Sequence, residues 1–225
     1  WGAYTKKPTI PMLLLASALG AHAQKSIKAP EGGKPISSEL IGIFFEDISS
    51  SADGGLYAEM VQNRDFEYTP KDHKGWHAFT AWRLASGSKA QIVNNKPLGK
   101  PNANALSIIA DTLYNTGWDG MALKRGEKYL FSFYVNTTGK KRFDAAVVEN
   151  GKVAAQTTLY VKPADKKASE RLHDGWQKYE AELVANADTK AAELRIVTTG
   201  KTEALIDLIS LFPQDTFKGR KNGLR

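Results

Sequence analysis

The stretch Gly-Ile-Phe-Phe-Glu-Asp-Ile at residues 42–48 decides the fold prediction for the first part of this chain. It is too short for a globular helix, and its apolar and aromatic character predicts a buried strand. A continuous run of this kind suits a parallel strand that is covered on both faces. Asp53 is a suitable N-cap for a helix that follows. The apolar residues of that helix share one face at helical spacing: Leu56, Tyr57, Met60 and Val61. The stretch therefore predicts a strand–loop–helix unit, with Glu46 and Asp47 at the carboxyl end of its strand.

The run from residue 42 to residue 68 resembles the opening β/α unit of the α-L-arabinofuranosidases of glycoside hydrolase family 51. A second block, residues 207–225, resembles the same family where its chain re-enters the barrel. Two long motifs in the right order are more specific than one short pattern. The resemblance implies a (β/α) barrel with its chemistry at the carboxyl ends of the strands. A complete barrel needs about 250 residues, so we expect an incomplete TIM barrel here.

Residues 69–212 have a different character, because short apolar runs alternate with turn signals. The predicted strands cover residues 90–93, 104–110, 129–136, 143–149, 157–162, 176–184, 191–198 and 205–212. Asn150-Gly151 predicts a tight hairpin. The pattern predicts a mainly β fold, a two-sheet sandwich or jelly roll. Residues 117–135 and 176–180 also resemble the jelly-roll carbohydrate-binding modules inserted near the start of some of these enzymes.

The amino terminus has the three parts of a secretory signal peptide. Lys6 and Lys7 precede the apolar run at residues 12–19, and Ala-His-Ala at residues 21–23 has the form of a cleavage site. The alternative is a buried helix, since the apolar run is too short to span a bilayer. We therefore predict a secreted or periplasmic protein. The predicted domains are a signal peptide (1–23), a strand and first β/α unit (24–68), a jelly-roll insert (69–212) and a return to the barrel (213–225).

Composition excludes several classes of function. The 225 residues carry a formal net charge of +7, but acidic residues lie between the cations and no nucleic-acid motif accompanies them. We expect no nucleic-acid partner and no membrane span after signal cleavage. The chain has no cysteine, so it offers neither a disulfide nor a thiolate nucleophile. Its four histidines show no metal-ligand spacing.

Catalysis by the implied family requires two carboxyl groups, about 5 Å apart when the anomeric configuration is retained. In that family both are glutamates on later barrel strands, and the acid/base glutamate follows an asparagine. This sequence contains no Asn-Glu pair. We therefore assign no catalytic residue and expect the 225-residue chain alone to be inactive. The resemblance implies no cofactor.

Four residues are predicted to bind substrate. The resemblance implies that Glu46 lies on the floor of the pocket and accepts hydrogen bonds from arabinose, which suits an ionised carboxylate; the alternative is a structural ion pair. In the sandwich, Trp118, Trp82 and Tyr114 are candidate platforms for sugar rings. Trp118 lies in a turn, where a large apolar ring is unexpected. Arg64 is predicted to clamp a carboxylate within the fold.

Several functions remain open at this point. The first is part of an arabinofuranosidase whose partners are an arabinose-containing polysaccharide or oligosaccharide and the rest of the catalytic barrel, with oligomers possible in the full-length enzyme. The second is a non-catalytic carbohydrate-binding protein. In a third, the sandwich is only a structural spacer, and in a fourth the enzyme belongs to a neighbouring glycosidase family and cleaves another sugar.

Overall fold

A computed structural model describes residues 58–216 and residue 219, all within one compact unit. These residues form eleven strands and contain no α-helix. The strands are β1 (Trp82–Leu84), β2 (Gln91–Val93), β3 (Ala105–Ile108), β4 (Asp111–Asn115), β5 (Lys128–Thr137), β6 (Lys141–Glu149), β7 (Lys152–Val161), β8 (Glu170–Arg171), β9 (Gln177–Val184), β10 (Glu193–Thr199) and β11 (Ala204–Pro213). A short 3-10 turn lies at His173–Gly175.

The strands form two sheets in which every pairing is antiparallel. The five-stranded sheet has the order β1-β4-β10-β6-β7, and the six-stranded sheet has the order β2-β3-β11-β5-β9-β8. Strands β9, β10 and β11 belong alternately to the two sheets, so the chain crosses the sandwich between successive strands. This is the connectivity of a jelly roll. The predicted jelly-roll β-sandwich is confirmed.

Strand β5 shows why this sequence forms a sandwich. Its alternate residues Tyr129, Phe131, Phe133 and Val135 are all buried, as expected when successive side chains point to opposite faces of a sheet. The ring centroid of Phe133 lies 4.8 Å from that of Phe143 on β6, in the opposite sheet. Burial of each large apolar side chain contributes roughly 1.5–3 kcal/mol. The period-2 pattern of β5 therefore produces the contact that holds the two sheets together.

The predicted strands correspond to eight of the observed ones, β2, β3, β5, β6, β7, β9, β10 and β11. The hairpin at Asn150-Gly151 is confirmed, because it joins β6 to β7 and both residues have positive φ, 50° and 75°, as a type I′ turn requires. Trp176 and Tyr179 are buried. Strands β1, β4 and β8 were not expected from the sequence.

The helix predicted to continue through Met60 and Val61 is wrong for the residues that the structure describes. Residues 58–60 have no regular secondary structure, and bends and turns follow up to residue 66. Asn63 and Phe66 have φ values of 53° and 60°, which a right-handed helix does not accommodate. Val61 and Phe66 instead enter the core of the sandwich. The predicted signal peptide, the strand at residues 42–48 and Glu46 lie outside the described residues, and the domain boundaries stay predictions.

Residues 59–64 run along strand β11, on the edge opposite to β5. Met60 N–H donates to the Leu211 carbonyl (3.1 Å), and Ile209 N–H donates to the Arg64 carbonyl (3.0 Å). The ladder of β11 with β5 is interrupted between Asp207 and Ser210 by a bulge. The first and last described segments of the sandwich are therefore antiparallel neighbours along β11.

Candidate functional site

A groove of about 430 Å³, which we call the entry groove, opens between residues 59–68 and the turn that carries Trp118. Its polar and aromatic lining consists of Glu59, Asn63, Arg64, Asp65, Tyr68, Asn102 and Trp118. Ligand sites of this volume usually combine apolar or aromatic walls with a few convergent polar groups. Of the three aromatic residues predicted to bind sugar in the sandwich, the entry groove contains Trp118. The sequence does not predict Asp65, Tyr68 or Asn102 as site residues.

Trp118 is positioned by a turn that docks on residues 60–62. Asn115 is buried; its Nδ2 donates to the Gln62 carbonyl (2.9 Å), and its Oδ1 accepts from Gly117 N–H (2.9 Å). Gly117 has a φ of 65°, and a Cβ at this position would lie 2.8 Å from the Met60 carbonyl oxygen. Only glycine allows this approach without strain. The Trp118 ring is consequently fixed beside residues 60–62, and it remains partly exposed.

Asn63 ties the floor of the groove to the sandwich. Its Nδ2 donates to the carbonyls of Ala78 (2.8 Å) and Thr80 (3.0 Å). The Asn63 carbonyl accepts from Trp82 Nε1 (2.8 Å). Trp82 is only 7% exposed, and its ring centroid lies 5.3 Å from that of Phe66. A ring buried in this way offers no open face to a sugar, so the structure disfavours the sugar contact predicted for Trp82.

Glu59 and Arg64 form an ion pair at the edge of the groove. Glu59 Oε1 accepts from the N–H groups of Val61 (3.0 Å) and Leu211 (2.9 Å). Glu59 Oε2 lies 3.4 Å from Arg64 Nη1. Burial raises the pKa of Glu59, and the Arg64 charge and the two N–H groups oppose that rise. The prediction that Arg64 clamps a carboxylate within the fold is confirmed.

Three buried polar atoms around this groove have no hydrogen bond within the described part of the chain: Glu59 Oε2, Arg64 Nε and Trp118 Nε1. Glu59 Oε2 keeps its ion pair with Arg64 Nη1, whereas a buried donor without any partner costs about 1–3 kcal/mol. Two of the three atoms are donors and one is an acceptor, so a ligand with hydroxyl groups is chemically suited to all of them. The entry groove therefore has the chemistry of a site for a polyhydroxylated ligand.

A second buried carboxyl group, Asp207, lies on β11 at the bulge. Its Oδ1 accepts from Leu208 N–H (2.6 Å), and its Oδ2 has no hydrogen bond among residues 58–216. Burial, with smaller contributions from the charges of Asp65 and Glu67, raises the pKa of Asp207 to about 8. The Leu208 N–H and the Arg64 charge act in the opposite direction. Asp207 is therefore largely protonated at neutral pH.

Tyr114 lies elsewhere, on the outer face of the five-stranded sheet. The Arg83 guanidinium lies 3.8 Å from the centre of its ring, and Arg83 also donates to both carboxylate oxygens of Glu193 (2.9 and 3.1 Å). One face of the Tyr114 ring is thus covered by a cation. Its predicted role in sugar binding stays a prediction, separate from the entry groove.

Within residues 58–216 and 219, no three histidine, cysteine, aspartate or glutamate side chains cluster as a metal ion would require. In the same part of the chain, no helix has the length and apolar character needed to cross a bilayer.

The sequence is similar to curated enzymes over most of its length, although no protein-family model matches it. It is 33% identical over 195 residues to an extracellular exo-α-L-arabinofuranosidase of Streptomyces chartreusis, covering 86% of this chain and 22% of that protein. It is 32% identical over 204 residues to α-L-arabinofuranosidase 1 of Arabidopsis thaliana, covering 84% of this chain and 29% of that protein. The resemblance to α-L-arabinofuranosidases is confirmed. The chain spans between 22% and 29% of the length of these two relatives.

The solved structures to which this chain is similar include carbohydrate-binding modules. The CBM22-1–GH10 modules of the Clostridium thermocellum endo-1,4-β-D-xylanase 10B, complexed with xylohexaose, match with a TM-score of 0.45 and 16% identity, over 69% of this chain and 28% of that one. The N-terminal cellulose-binding domain of Cellulomonas fimi β-1,4-glucanase C matches with a TM-score of 0.42 and 12% identity, over 68% of this chain and 95% of that one.

Proposed function

We propose that this chain is part of a secreted α-L-arabinofuranosidase of glycoside hydrolase family 51, which releases terminal non-reducing arabinofuranose from arabinoxylan or arabinan with retention of configuration. The observation that carries the proposal is the similarity to arabinofuranosidases over 84–86% of this chain. A similarity of that extent includes the sandwich and is not confined to one motif. The catalytic glutamates belong to barrel strands that this sequence does not match.

The sandwich is proposed to be an insert in the catalytic barrel. Its support is the pairing of residues 59–64 with β11, which places the first and last described segments side by side. An inserted domain needs its two ends close together, because both must connect to neighbouring points of the host. Glu46, just before the insert, is proposed to contact arabinose in the completed pocket.

The second candidate function is polysaccharide binding by the sandwich itself, at the entry groove. It is favoured by Trp118, which is partly exposed, and by the unpaired buried donors Trp118 Nε1 and Arg64 Nε beside it. An aromatic ring can stack on the apolar face of a sugar while its hydroxyl groups pair with such donors. This function is compatible with the first, since a binding insert would hold the enzyme on its substrate.

Substitution of Trp118 by alanine is expected to weaken binding to uronate-free arabinoxylan about tenfold or more, because the stacking face and one donor are lost. Affinity gel electrophoresis of the 225-residue chain measures this as reduced retardation. Val184→Ala is the matched control, since Val184 is 51% exposed and does not line the entry groove. Equal retardation of both variants would exclude the groove, and no retardation of the unmodified chain on any polysaccharide would favour the spacer.

The 225-residue chain is expected to release no product from a chromogenic arabinofuranoside, because its sequence lacks the Asn-Glu pair of the acid/base motif. The measurement is absorbance of the freed chromophore at enzyme concentrations far above those of an active arabinofuranosidase run in parallel. Turnover above the buffer rate would contradict the assignment of both catalytic glutamates to later barrel strands.

A further inference from the structure

A second groove, of about 390 Å³, lies at the end of the five-stranded sheet where β6, β7 and the turn after β10 meet. We call it the basic groove. Its charged and aromatic lining includes Lys140, Lys141, Arg142, Tyr160, Lys162 and Lys167. The single carboxylate in the lining is Asp165. The groove therefore has a strong excess of positive charge around one aromatic ring.

Tyr160 is the most open aromatic side chain of this region. It lies on β7, the edge strand of its sheet, and is 69% exposed. Its partner in the ladder is Arg142 on β6. Within the described residues, the Tyr160 hydroxyl makes no hydrogen bond and its ring stacks on no other ring. The ring and the hydroxyl are both available to a ligand.

Two cations of the basic groove already have partners within the fold. Lys141 Nζ donates to the carbonyls of Ile109 and Thr202, and Arg142 pairs with Asp144 at 2.9 Å. These two side chains are held in place by the fold.

The remaining three cations are less constrained. Lys162 Nζ is 4.0 Å from Asp165, at the limit of an ion pair. Asp165 is itself buried, and it accepts from Lys167 N–H (3.1 Å) and from the Tyr179 hydroxyl (3.0 Å). Lys140 and Lys167 are exposed, and neither side chain forms an ion pair within the part of the chain that the structure describes. The basic groove thus combines the Tyr160 ring with two exposed ammonium groups that form no ion pair within the described residues.

We propose that the basic groove binds uronate-bearing segments of an acidic polysaccharide. The Tyr160 ring stacks on the apolar face of one sugar, while Lys140, Lys162 and Lys167 pair with the carboxylates along the chain. Charge-assisted contacts of this kind are stronger than those to neutral hydroxyl groups. This proposal rests on the proposed function, because its ligand is again a polysaccharide. It differs in the polymer, which is acidic, and in the surface, which is separate from the entry groove.

A single aromatic ring in a groove of about 390 Å³ suits a short glycan segment. Single-stranded nucleic acid is usually held by a series of stacked aromatic side chains along a longer channel. The observations therefore favour a charged glycan over a nucleic acid.

The test measures binding of the 225-residue chain to polygalacturonate and to the same polymer after chemical reduction of its carboxyl groups, by titration calorimetry. We expect binding of the acidic polymer, at least about tenfold weaker binding of the reduced one, and a loss of affinity as salt rises. Tyr160→Ala and the double variant Lys140→Ala with Lys167→Ala should each lower the affinity about tenfold. Lys152→Ala, an exposed lysine at the other end of β7, should leave it unchanged.

Equal binding of the acidic and reduced polymers would overturn the proposal, as would unchanged affinity in Tyr160→Ala. Tighter binding of single-stranded DNA than of polygalacturonate would also overturn it, in favour of a nucleic-acid site. Trp118→Ala distinguishes the two grooves, because it tests binding of neutral arabinoxylan and should not alter binding of polygalacturonate. All variants must retain the melting temperature of the unmodified chain, which is expected because Tyr160, Lys140 and Lys167 are exposed.

Discussion

In the unmodified protein, ionisation of Asp207 is expected to lower the free energy of unfolding by about 4–6 kcal/mol between about pH 4 and pH 8. We expect that Asp207→Asn does not show this loss. Burial raises the pKa of Asp207 from 3.8 to about 8 in the folded protein. Between these values the folded carboxyl holds a proton that the unfolded chain has released. The contribution of Asp207 is therefore fully present below about pH 4 and is lost as the pH rises through about 8. Asparagine stays neutral throughout, like the protonated acid.

The measurement is the free energy of unfolding of both proteins by urea at several pH values from 4 to 9. The informative quantity is the difference between the variant and the unmodified chain, since the other titrating groups cancel in it. This difference should shift in favour of Asp207→Asn as the pH rises. Asp119→Asn is the control, because Asp119 is exposed, and it should produce no such trend. Parallel curves for Asp207→Asn and the unmodified protein would show that Asp207 ionises in the folded state near its ordinary pKa.

Substitution of Phe66 by alanine is expected to lower the free energy of unfolding by about 3–5 kcal/mol, the usual cost of truncating a buried phenylalanine. Phe66 is fully buried and packs at 5.3 Å on Trp82 of β1. A cavity at this position would also loosen the anchor of Asn104, whose Nδ2 donates to the Phe66 carbonyl (2.8 Å). Residues 61–66 would then be a stabilising part of the sandwich and not merely a linker before it.

Thermal or urea unfolding followed by tryptophan fluorescence measures this effect. Ile109→Ala is the matched control, because Ile109 is 50% exposed and its truncation should change stability by about 0.5 kcal/mol or less. A loss below about 1 kcal/mol in Phe66→Ala would mean that residues 61–66 contribute little to the sandwich.

The strands that the sequence predicts are those that form apolar runs between turn signals, such as β5 and β11. Strands β1 and β8 have three and two residues and contain charged side chains, so neither forms an apolar run. Strand β4 follows β3 after only Ile109 and Ala110, and no glycine or proline marks that break.

The helical spacing of Met60 and Val61 failed as a predictor because contacts distant in sequence override local preference there. Met60 N–H pairs with β11, and Asn63 adopts a positive φ while it bonds to residues 78, 80 and 82. Asparagine tolerates a positive φ better than most residues. Its presence at position 63 was the one local indication that a helix would not continue there. A pairing partner more than a hundred residues away does not alter the spacing of apolar residues in the local sequence.

The candidate site likewise has residues that the sequence predicts and residues that only the fold brings there. Trp118 was singled out because a large ring in a glycine-containing turn is unusual, and it lines the entry groove. Trp82 was proposed on residue type alone, and the bond from its indole to Asn63 that buries it is invisible in the sequence. Asp65, Tyr68 and Asn102 join the groove only because the fold brings distant turns together.

The antiparallel contact between residues 59–64 and β11 also determines how the sandwich would respond to mechanical force. Tension applied between residues 58 and 216 would act across the bonds from Met60 to Leu211 and from Ile209 to Arg64 one after the other. Bonds that break in sequence resist a pull far less than bonds sheared together. The sandwich should therefore peel open from its two ends at low force, while the ladder between β5 and β11 is still intact.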